Sequence, residues 1–352
     1  MTETILIYGA TGYTGKLIAR TAHAQGLTPI LAGRNAERVR DVAEPLGLAW
    51  RAFDLADASR IDAGLDGVAA VLCIAGPFSA TSRPMASACI RRGVHYLDVT
   101  GEIGVFEALA ARDAEAKQAG VMLLPGVGYD VVPTDCLAAH LKRRMPGAVD
   151  LKLYIEVLSP KISRGTAKTM IQELPGGTRV RRGGRLITLD RPGSGKCDFG
   201  QGVKPTMPIS WGDVATAFYS TGIPNIEVHN RAIPALKIVA GLPRFARWFL
   251  GLGLTQAAMR ALINRQSEGP SDEARRTGHS IIVGVAHDAK GGSVRSRLNL
   301  PDGYTLTAMT ALDIAKRVAS GEFKPGFQTP SLVFGPEYIL GFQGVTWEDL
   351  PT

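Results

Sequence analysis

Three glycines at a spacing of three follow the first apolar run of the chain. Gly9, Gly12 and Gly15 come after residues 5–8, which predict a β-strand, and they open a segment that predicts a helix. Glycine permits a tight turn and lets the backbone approach a pyrophosphate at the positive end of a helix. Such a motif between a strand and a helix is a candidate dinucleotide-binding turn. A strand-to-helix turn without a ligand is the alternative that the motif leaves open.

The second predicted strand ends in a cation. Arg34 lies 19 residues after Gly15, at about the place where an NAD site offers an acid to the ribose 2′-hydroxyl. An arginine there accommodates a 2′-phosphate instead, so we expect NADP(H) as the cofactor. Within the glycine turn, Thr11, Tyr13 and Thr14 carry hydroxyls that could reach phosphate oxygens. The alternative for Arg34 is a surface charge beside a helix.

Two further strand ends are compatible with the same cofactor. Asp54 lies at the end of the third predicted strand, where a carboxylate can accept a hydrogen bond from the adenine amino group. Ala75, Gly76, Pro77 and Phe78 end the fourth, where small residues let the central riboses pass closely. A buried strand terminus would also explain small residues. Because four successive strand ends fit, we expect a nicotinamide cofactor.

The first half of the chain alternates between strand and helix. This rhythm predicts an α/β fold with a Rossmann-type, doubly wound parallel sheet and right-handed crossovers. The predicted strands are 4–8, 28–33, 49–55, 68–76, 94–100 and 121–126.

After residue 150 the pattern changes to that of an α+β domain with a mostly antiparallel sheet. We expect strands around 179–189 and 213–220, a surface loop over 190–208, a hairpin over 279–300 and a helix over 306–320. The predicted domains are an NADP-binding domain (1–145), a substrate and dimerisation domain (146–320), and a C-terminal segment (321–352) that packs back on the first domain.

Composition limits the classes of protein to which the chain can belong. Of the 352 residues, 45% are apolar and 20% are charged, which is typical of a globular protein. The net charge of +8 is spread over separate clusters without a zinc-finger or RNA-binding signature, so nucleic acid is not an expected partner. Four scattered cysteines and the absence of a signal-like start predict free thiols and a cytoplasmic protein. No histidine has metal-ligand spacing, and no metal is expected.

The apolar stretch 233–254 contains Lys237, Arg244, Arg247 and Pro243, too many interruptions for a spanning helix. We favour short helices packed on a core or a subunit interface. Contact with a membrane surface, or an opening for a lipid-like substrate, is the alternative. Together with half-buried strands in the second domain, this stretch predicts a homodimer.

The chain resembles the saccharopine dehydrogenase-like oxidoreductases, in particular the branch of trans-acting enoyl reductases of lipid biosynthesis. The segments that carry the resemblance are GATGYTG (9–15), AGRN (32–35), AGPF (75–78), HYLDVTGE (95–102), GVGYDVVPTD (126–135) and GFQTPSLVFG (326–335). The resemblance implies NADP(H)-dependent redox chemistry and a C-terminal helix that returns to the nucleotide domain. The Tyr-x-x-x-Lys pair of short-chain dehydrogenases is missing.

Catalytic candidates follow the fifth and sixth predicted strands, where open α/β sheets bind their ligands. Tyr129 could donate a proton or polarise a carbonyl, Asp130 could orient it, and Glu102 lies at a similar position. The alternative is that such acids only cap turns and helices. We expect a reductase that transfers hydride from NADPH to a C=C, C=N or C=O bond of a fairly apolar small molecule. A non-catalytic NADP(H) sensor or scaffold is the alternative.

Overall fold

A computed structural model describes residues 3–158, 161–232, 242 and 244–351. The chain forms two compact units, each made of two segments. One comprises Met1–Val132 and Tyr304–Val333, and the other comprises Pro133–Gly303 and Phe334–Thr352. The division into folding domains at residues 145 and 320 stays a prediction.

The elements are numbered in chain order. The strands are β1 (Ile5–Tyr8), β2 (Ile30–Gly33), β3 (Trp50–Ala52), β4 (Ala70–Cys73), β5 (His95–Asp98), β6 (Met122–Leu124), β7 (Ala148–Val157), β8 (Thr178–Arg182), β9 (Arg185–Leu189), β10 (Gly195–Asp198), β11 (Val203–Ile209), β12 (Asn225–Arg231), β13 (His279–Asp288), β14 (Ser293–Pro301), β15 (Gly326–Phe327) and β16 (Thr346–Leu350). The α-helices are α1 (Tyr13–Ala24), α2 (Ala36–Ala43), α3 (Ala58–Gly64), α4 (Phe78–Arg92), α5 (Ile103–Ala110), α6 (Asp113–Gln118), α7 (Val132–Arg144), α8 (Arg164–Glu173), α9 (Asp213–Thr221), α10 (Arg244–Leu250), α11 (Gly253–Asn264), α12 (Asp272–Thr277), α13 (Gly303–Ala319) and α14 (Pro330–Phe334). Short 3₁₀ helices cover Glu44–Leu46, Leu174–Gly176 and Pro336–Gly341.

The first unit contains a seven-stranded sheet in the order β15-β6-β5-β4-β1-β2-β3. Every neighbouring pair is parallel. Strands β1, β4 and β5 are buried along their whole length, as expected when helices cover both faces. The predicted doubly wound sheet is confirmed. The strand order reverses between β1 and β4, and in open α/β sheets ligands bind at the carboxyl ends of the strands beside such a switch point.

The second unit contains a nine-stranded sheet in the order β10-β11-β12-β7-β13-β14-β16, with the β8-β9 hairpin joined to β12. Its pairs are antiparallel except that β12 runs parallel to β7. The predicted hairpin is formed by β13 and β14, and Gly291 in the connecting turn has a φ of +88°. The mostly antiparallel character of this sheet is confirmed.

Two local predictions in this unit are wrong. Residues 213–220, expected as a strand, form α9, because Asp213 lies in a helical first turn and Gly222 ends the helix with a φ of 69°. The expected loop at 190–208 contains β10 and most of β11. Its glycines and prolines indicated a loop, yet Pro205 and Pro208 lie within a ladder. Pairing with neighbouring strands outweighs such local signals.

The apolar stretch 233–254 is described only in part. Residues 233–241 and 243 lie outside the described residues, whereas α10 and the start of α11 lie within them. Across the part of the chain that the structure describes, no helix is both long and apolar enough to cross a membrane. The four cysteines are buried free thiols, as predicted.

Candidate functional site

The predicted site residues follow the carboxyl ends of six parallel strands of the first unit, which meet at one edge of the sheet. The glycine turn follows β1, Arg34 follows β2, and Asp54 follows β3. The turn 75–78 follows β4 and leads into α4, Glu102 follows β5, and the Tyr129–Asp130 pair follows β6. The fold therefore brings the predicted cofactor and catalytic residues to the same side of one unit.

Two glycines of the first turn are required by the fold itself. Gly9 has a φ of +93°, and a Cβ placed on it would lie 2.7 Å from the backbone nitrogen of Ala75. A Cβ on Gly15 would lie 2.4 Å from the carbonyl oxygen of Gly9. Both positions keep β1, β4 and α1 in close contact, so neither glycine is by itself evidence for a ligand.

Gly12 is different because no contact among the described residues requires a glycine at this position. It is exposed, its backbone is extended with a φ of −78°, and a Cβ placed on it would lie 3.5 Å from its nearest neighbour, the Gly9 carbonyl oxygen. The space in front of it adjoins the N-terminus of α1, whose first turn carries no acidic residue. We call this space the cradle. A Cβ on Gly12 would fill it, and the helix dipole favours an anion there. The cradle fits a dinucleotide pyrophosphate, with Thr11, Tyr13 and Thr14 partly buried beside it.

The adenosine end of the predicted site carries one cation and one anion. Arg34 and Asp54 are both exposed, and both act electrostatically on the Tyr8 hydroxyl at the end of β1. Burial raises the pKa of Tyr8 to about 12, the charges of Cys73 and Asp54 add to this, and Arg34 opposes it. The Tyr8 hydroxyl donates to the carbonyl oxygen of Phe53 at 3.0 Å. An exposed guanidinium in this place is suited to a ribose 2′-phosphate.

Glu102 has a structural task that the sequence did not reveal. Its side chain is buried, and its two carboxylate oxygens accept hydrogen bonds from the backbone nitrogens of Phe78 at 2.7 Å and Ser79 at 2.8 Å. These amides form the N-terminus of α4, where a negative charge is favourable. The hydroxyl of Thr81 donates to the Ala75 carbonyl oxygen at 2.6 Å and holds the same turn. This geometry favours a positioning role for Glu102 over the catalytic role predicted for it.

Asp98, at the end of β5, was missed in the sequence. It is fully buried and accepts hydrogen bonds from the Tyr96 hydroxyl at 2.6 Å, the Thr100 nitrogen at 2.9 Å and the Gly126 nitrogen at 3.0 Å. Burial raises the pKa of Asp98 to about 6, although its hydrogen bonds act in the opposite direction. Asp98 fixes the ends of β5 and β6 relative to each other, as Glu102 fixes those of β4 and β5.

The loop that carries Tyr129 and Asp130 is held by α13. The backbone nitrogen of Tyr129 donates to the Thr307 hydroxyl at 3.0 Å, and the Thr310 hydroxyl donates to the Val127 carbonyl oxygen at 2.8 Å. A Cβ on Gly128 would lie 2.9 Å from the Thr307 side chain, so loop and helix are in close contact. The sequence could not predict these hydrogen bonds, because the bonded residues lie 178 and 183 positions apart in the chain.

Helix α13 also reaches the glycine turn. The ring of Tyr304, in its first turn, packs edge-on against the ring of Tyr13 with centroids 5.2 Å apart. The same helix therefore supports both the predicted cofactor turn and the predicted catalytic loop. Tyr304, Thr307 and Thr310 could not be singled out in the sequence, where they lie in an ordinary amphipathic segment.

Asp130 is the carboxyl group with the most unusual environment in this loop. It is half-buried, and its Oδ2 atom lies 2.9 Å from the position that a Cβ on Gly101 would occupy. Desolvation raises the pKa of Asp130 to about 7 from an ordinary 3.8. A carboxyl group with this pKa holds a proton for a large part of the time at neutral pH and can give it up. The hydroxyl of the neighbouring Tyr129 is buried.

These features define a dinucleotide-binding protein of the Rossmann class. They are a parallel sheet, a glycine turn where the strand order reverses, and a cation after the second strand. Residues 5–124 match the family model described as the saccharopine dehydrogenase NADP binding domain. A protein of Mycobacterium tuberculosis (strain ATCC 25618 / H37Rv), named as a proposed trans-acting enoyl reductase, is 33% identical over 388 residues. That match covers 94% of this chain and 86% of the relative. The chain belongs to the saccharopine dehydrogenase-like family with the trans-acting enoyl reductases, and its residues 5–124 form the NADP binding domain of that family.

Other relatives match over a shorter length. The trans-acting enoyl reductase of Mycobacterium leprae (strain TN) is 35% identical over 149 residues, which are 40% of this chain and 36% of that protein. The chain thus spans about a third of the length of this curated relative. Apo saccharopine dehydrogenase (L-Glu forming) from Saccharomyces cerevisiae has a TM-score of 0.67 at 12% identity, over 99% of this chain and 100% of that chain. This likeness shows that the whole chain shares the saccharopine dehydrogenase fold.

Proposed function

We propose that the protein is a reductase that transfers hydride from NADPH to a C=C, C=N or C=O bond of a fairly apolar small molecule. One observation carries this proposal: a half-buried carboxyl group, Asp130, has a pKa of about 7 at the sheet edge where the cofactor cradle lies. Reduction of such a bond needs a proton as well as a hydride. A carboxyl group poised near neutral pH is a suitable proton source.

Different residues of the chain would bind the cofactor and donate the proton. The cradle at Gly12 and the N-terminus of α1 would bind the pyrophosphate, and Arg34 would bind the 2′-phosphate. The hydride would come from bound NADPH, which would be oxidised to NADP⁺. Asp130 would give its proton to the atom at the other end of the reduced bond and recover a proton from water.

The environment of the two loop residues favours a change in the roles inferred from the sequence. The sequence predicts that Tyr129 donates a proton or polarises a carbonyl and that Asp130 orients it. The raised pKa favours Asp130 as the proton donor, and we assign Tyr129 the task of polarising the substrate. Glu102 and Asp98 would act through the backbone that they hold, since their carboxylate oxygens accept from backbone or tyrosine donors.

The names of the relatives support one substrate class in particular. Two relatives carry the name trans-acting enoyl reductase, which makes a C=C bond conjugated to a carbonyl the first candidate. Because these relatives are named as enoyl reductases, saccharopine is a weaker candidate.

Deuterium transfer tests the proposal. The protein is incubated with NADPH deuterated at the hydride position and with a panel of enones, imines and ketones, and the products are analysed by mass spectrometry. We expect one cofactor deuterium bound to carbon in the product of at least one substrate. Tight binding of NADPH without turnover of any panel member would contradict the proposal and support the cofactor sensor instead.

A further inference from the structure

Two helices of the second unit expose large apolar side chains. Trp248 and Phe249 on α10 are 61% and 54% exposed, and Leu254 and Leu262 on α11 are 88% and 63% exposed. Beside them, Met170 on α8 is 50% exposed. We call these five side chains the helical surface. Single exposed apolar residues are normal on a protein, but a group of them with two aromatic rings indicates a contact with something else.

The inner face of α11 is fixed, which shows that its outer face is the apolar one. Gln256 and Ile263 are buried, and the Gln256 amide donates to the carbonyl oxygens of Ile171 at 2.9 Å and Leu250 at 2.7 Å. These bonds tie α11 to α8 and to the end of α10. At helical spacing, Leu254 and Leu262 lie away from Gln256. A helix on the surface of a water-soluble protein normally places charged residues there.

The chain segment that carries α10 and α11 contains charges of a single sign. Residues 232–267 contain five Lys or Arg residues and no Asp or Glu. Of these cations, Arg260 and Arg265 lie on α11 or directly after it, and both are exposed. Arginine can keep its guanidinium in a polar layer while its stem lies along an apolar one. Exposed aromatic and leucine side chains with arginines and without acids are typical of helices that lie in a membrane interface.

We propose that the helical surface binds the headgroup and upper acyl region of a membrane that contains anionic phospholipids. Trp248 and Phe249 insert between the headgroups, and Arg260 and Arg265 pair with lipid phosphates. Contact with a second copy of the chain fits less well, since it would bring two surfaces of the same positive sign together. The proposed membrane contact is peripheral, and it does not depend on the proposed reductase activity.

Vesicle sedimentation of the full-length protein tests this proposal. We expect binding to vesicles of phosphatidylcholine with phosphatidylglycerol, and weaker binding to phosphatidylcholine alone. The double variant Trp248→Ser/Phe249→Ser should bind at least about tenfold more weakly to both, because it removes two large apolar side chains from the contact. The variant Arg260→Glu/Arg265→Glu should lose about tenfold or more on the anionic vesicles only.

The matched control is Val203→Ser, which removes a 65% exposed apolar side chain of β11 in the same unit and should leave binding unchanged. Thermal unfolding of each variant verifies that it is folded. Absence of binding to anionic vesicles by the folded wild type overturns the proposal. It is also overturned if Val203→Ser weakens binding as much as the Trp248/Phe249 variant. A wild-type dimer that Trp248→Ser/Phe249→Ser converts to a monomer would instead assign the helical surface to a second copy.

Discussion

At the scale of single residues, two carboxyl groups on one sheet edge lie in different environments. Both oxygens of Glu102 accept hydrogen bonds from backbone amides at the start of α4. Asp130 lies close against Gly101, where desolvation disfavours its ionised form and raises its pKa to about 7. The sequence placed both acids correctly after their strands. It could not distinguish them, because their environments come from residues far along the chain.

The raised pKa of Asp130 makes stability depend on pH. Because the folded pKa of about 7 lies above the ordinary value of 3.8, the proton is held more tightly in the folded state. The stabilising contribution is therefore complete below about pH 4 and is lost as the pH rises through about 7. We expect the free energy of unfolding of the wild type, measured with urea, to fall relative to that of Asp130→Asn over this range. A difference between the two proteins that does not change with pH would contradict the assigned pKa.

A second prediction concerns Arg34 and the choice of cofactor. Replacing Arg34 with alanine should weaken NADPH binding by about 10-fold to 100-fold, because it removes a charge-assisted hydrogen bond to the 2′-phosphate. NADH binding should stay unchanged. Calorimetry of both cofactors measures this. Arg38→Ala, an exposed arginine on α2, is the control and should bind NADPH as the wild type does. Equal affinity of the wild type for NADPH and NADH would remove the case for a 2′-phosphate contact.

At the scale of elements, the parallel sheet was predictable because each strand carries its own local signal. Buried strands are continuous apolar runs, and the turns after them contain glycine, proline or a helix cap. The network that joins these strand ends was not predictable. Asp98 reaches Gly126, and Glu102 reaches Phe78, across 28 and 24 positions. The prediction of a strand at 213–220 was wrong because the burial of α9 depends on residues that are distant in the chain, which the local pattern does not show.

The three glycines of the first turn give a matched experiment at this scale. Gly12→Ala should weaken NADPH binding while the thermal midpoint stays within a few degrees of the wild type, since its Cβ meets no protein atom closer than 3.5 Å. Gly15→Ala should lower the thermal midpoint, because its Cβ would lie 2.4 Å from the Gly9 carbonyl oxygen. The opposite order of effects would show that the cradle at Gly12 belongs to the fold and not to the cofactor.

At the scale of the whole molecule, family membership and the two sheets agree with the architecture predicted from the sequence. The C-terminal part was harder to predict, since β15 joins the first sheet whereas β16 pairs with β14 in the second. Short strands added to a sheet from distant parts of the chain have little local signal. We propose a cytoplasmic location, which the four buried free thiols support.

The predicted homodimer also belongs to this scale. We expect two chains to associate through the second domain, since most soluble oligomers are two-fold dimers and several of its strands have an exposed face. Light scattering at micromolar concentration should give twice the mass of 37.4 kDa. A mass equal to that of one chain would contradict the prediction.

The most direct test of the central claim is the pH dependence of NADPH oxidation, with the substrate identified in the panel, for wild type and Asp130→Asn. The wild-type rate should fall as the pH rises through about 7, because the Asp130 carboxyl must carry the proton that it donates. The variant should be slower by about 100-fold or more, without this decline and with unchanged affinity for NADPH. Asp66→Asn, a carboxylate before β4 at the opposite end of that strand, should behave as the wild type does. A variant Asp130→Asn with the wild-type rate and the wild-type pH profile would contradict the account.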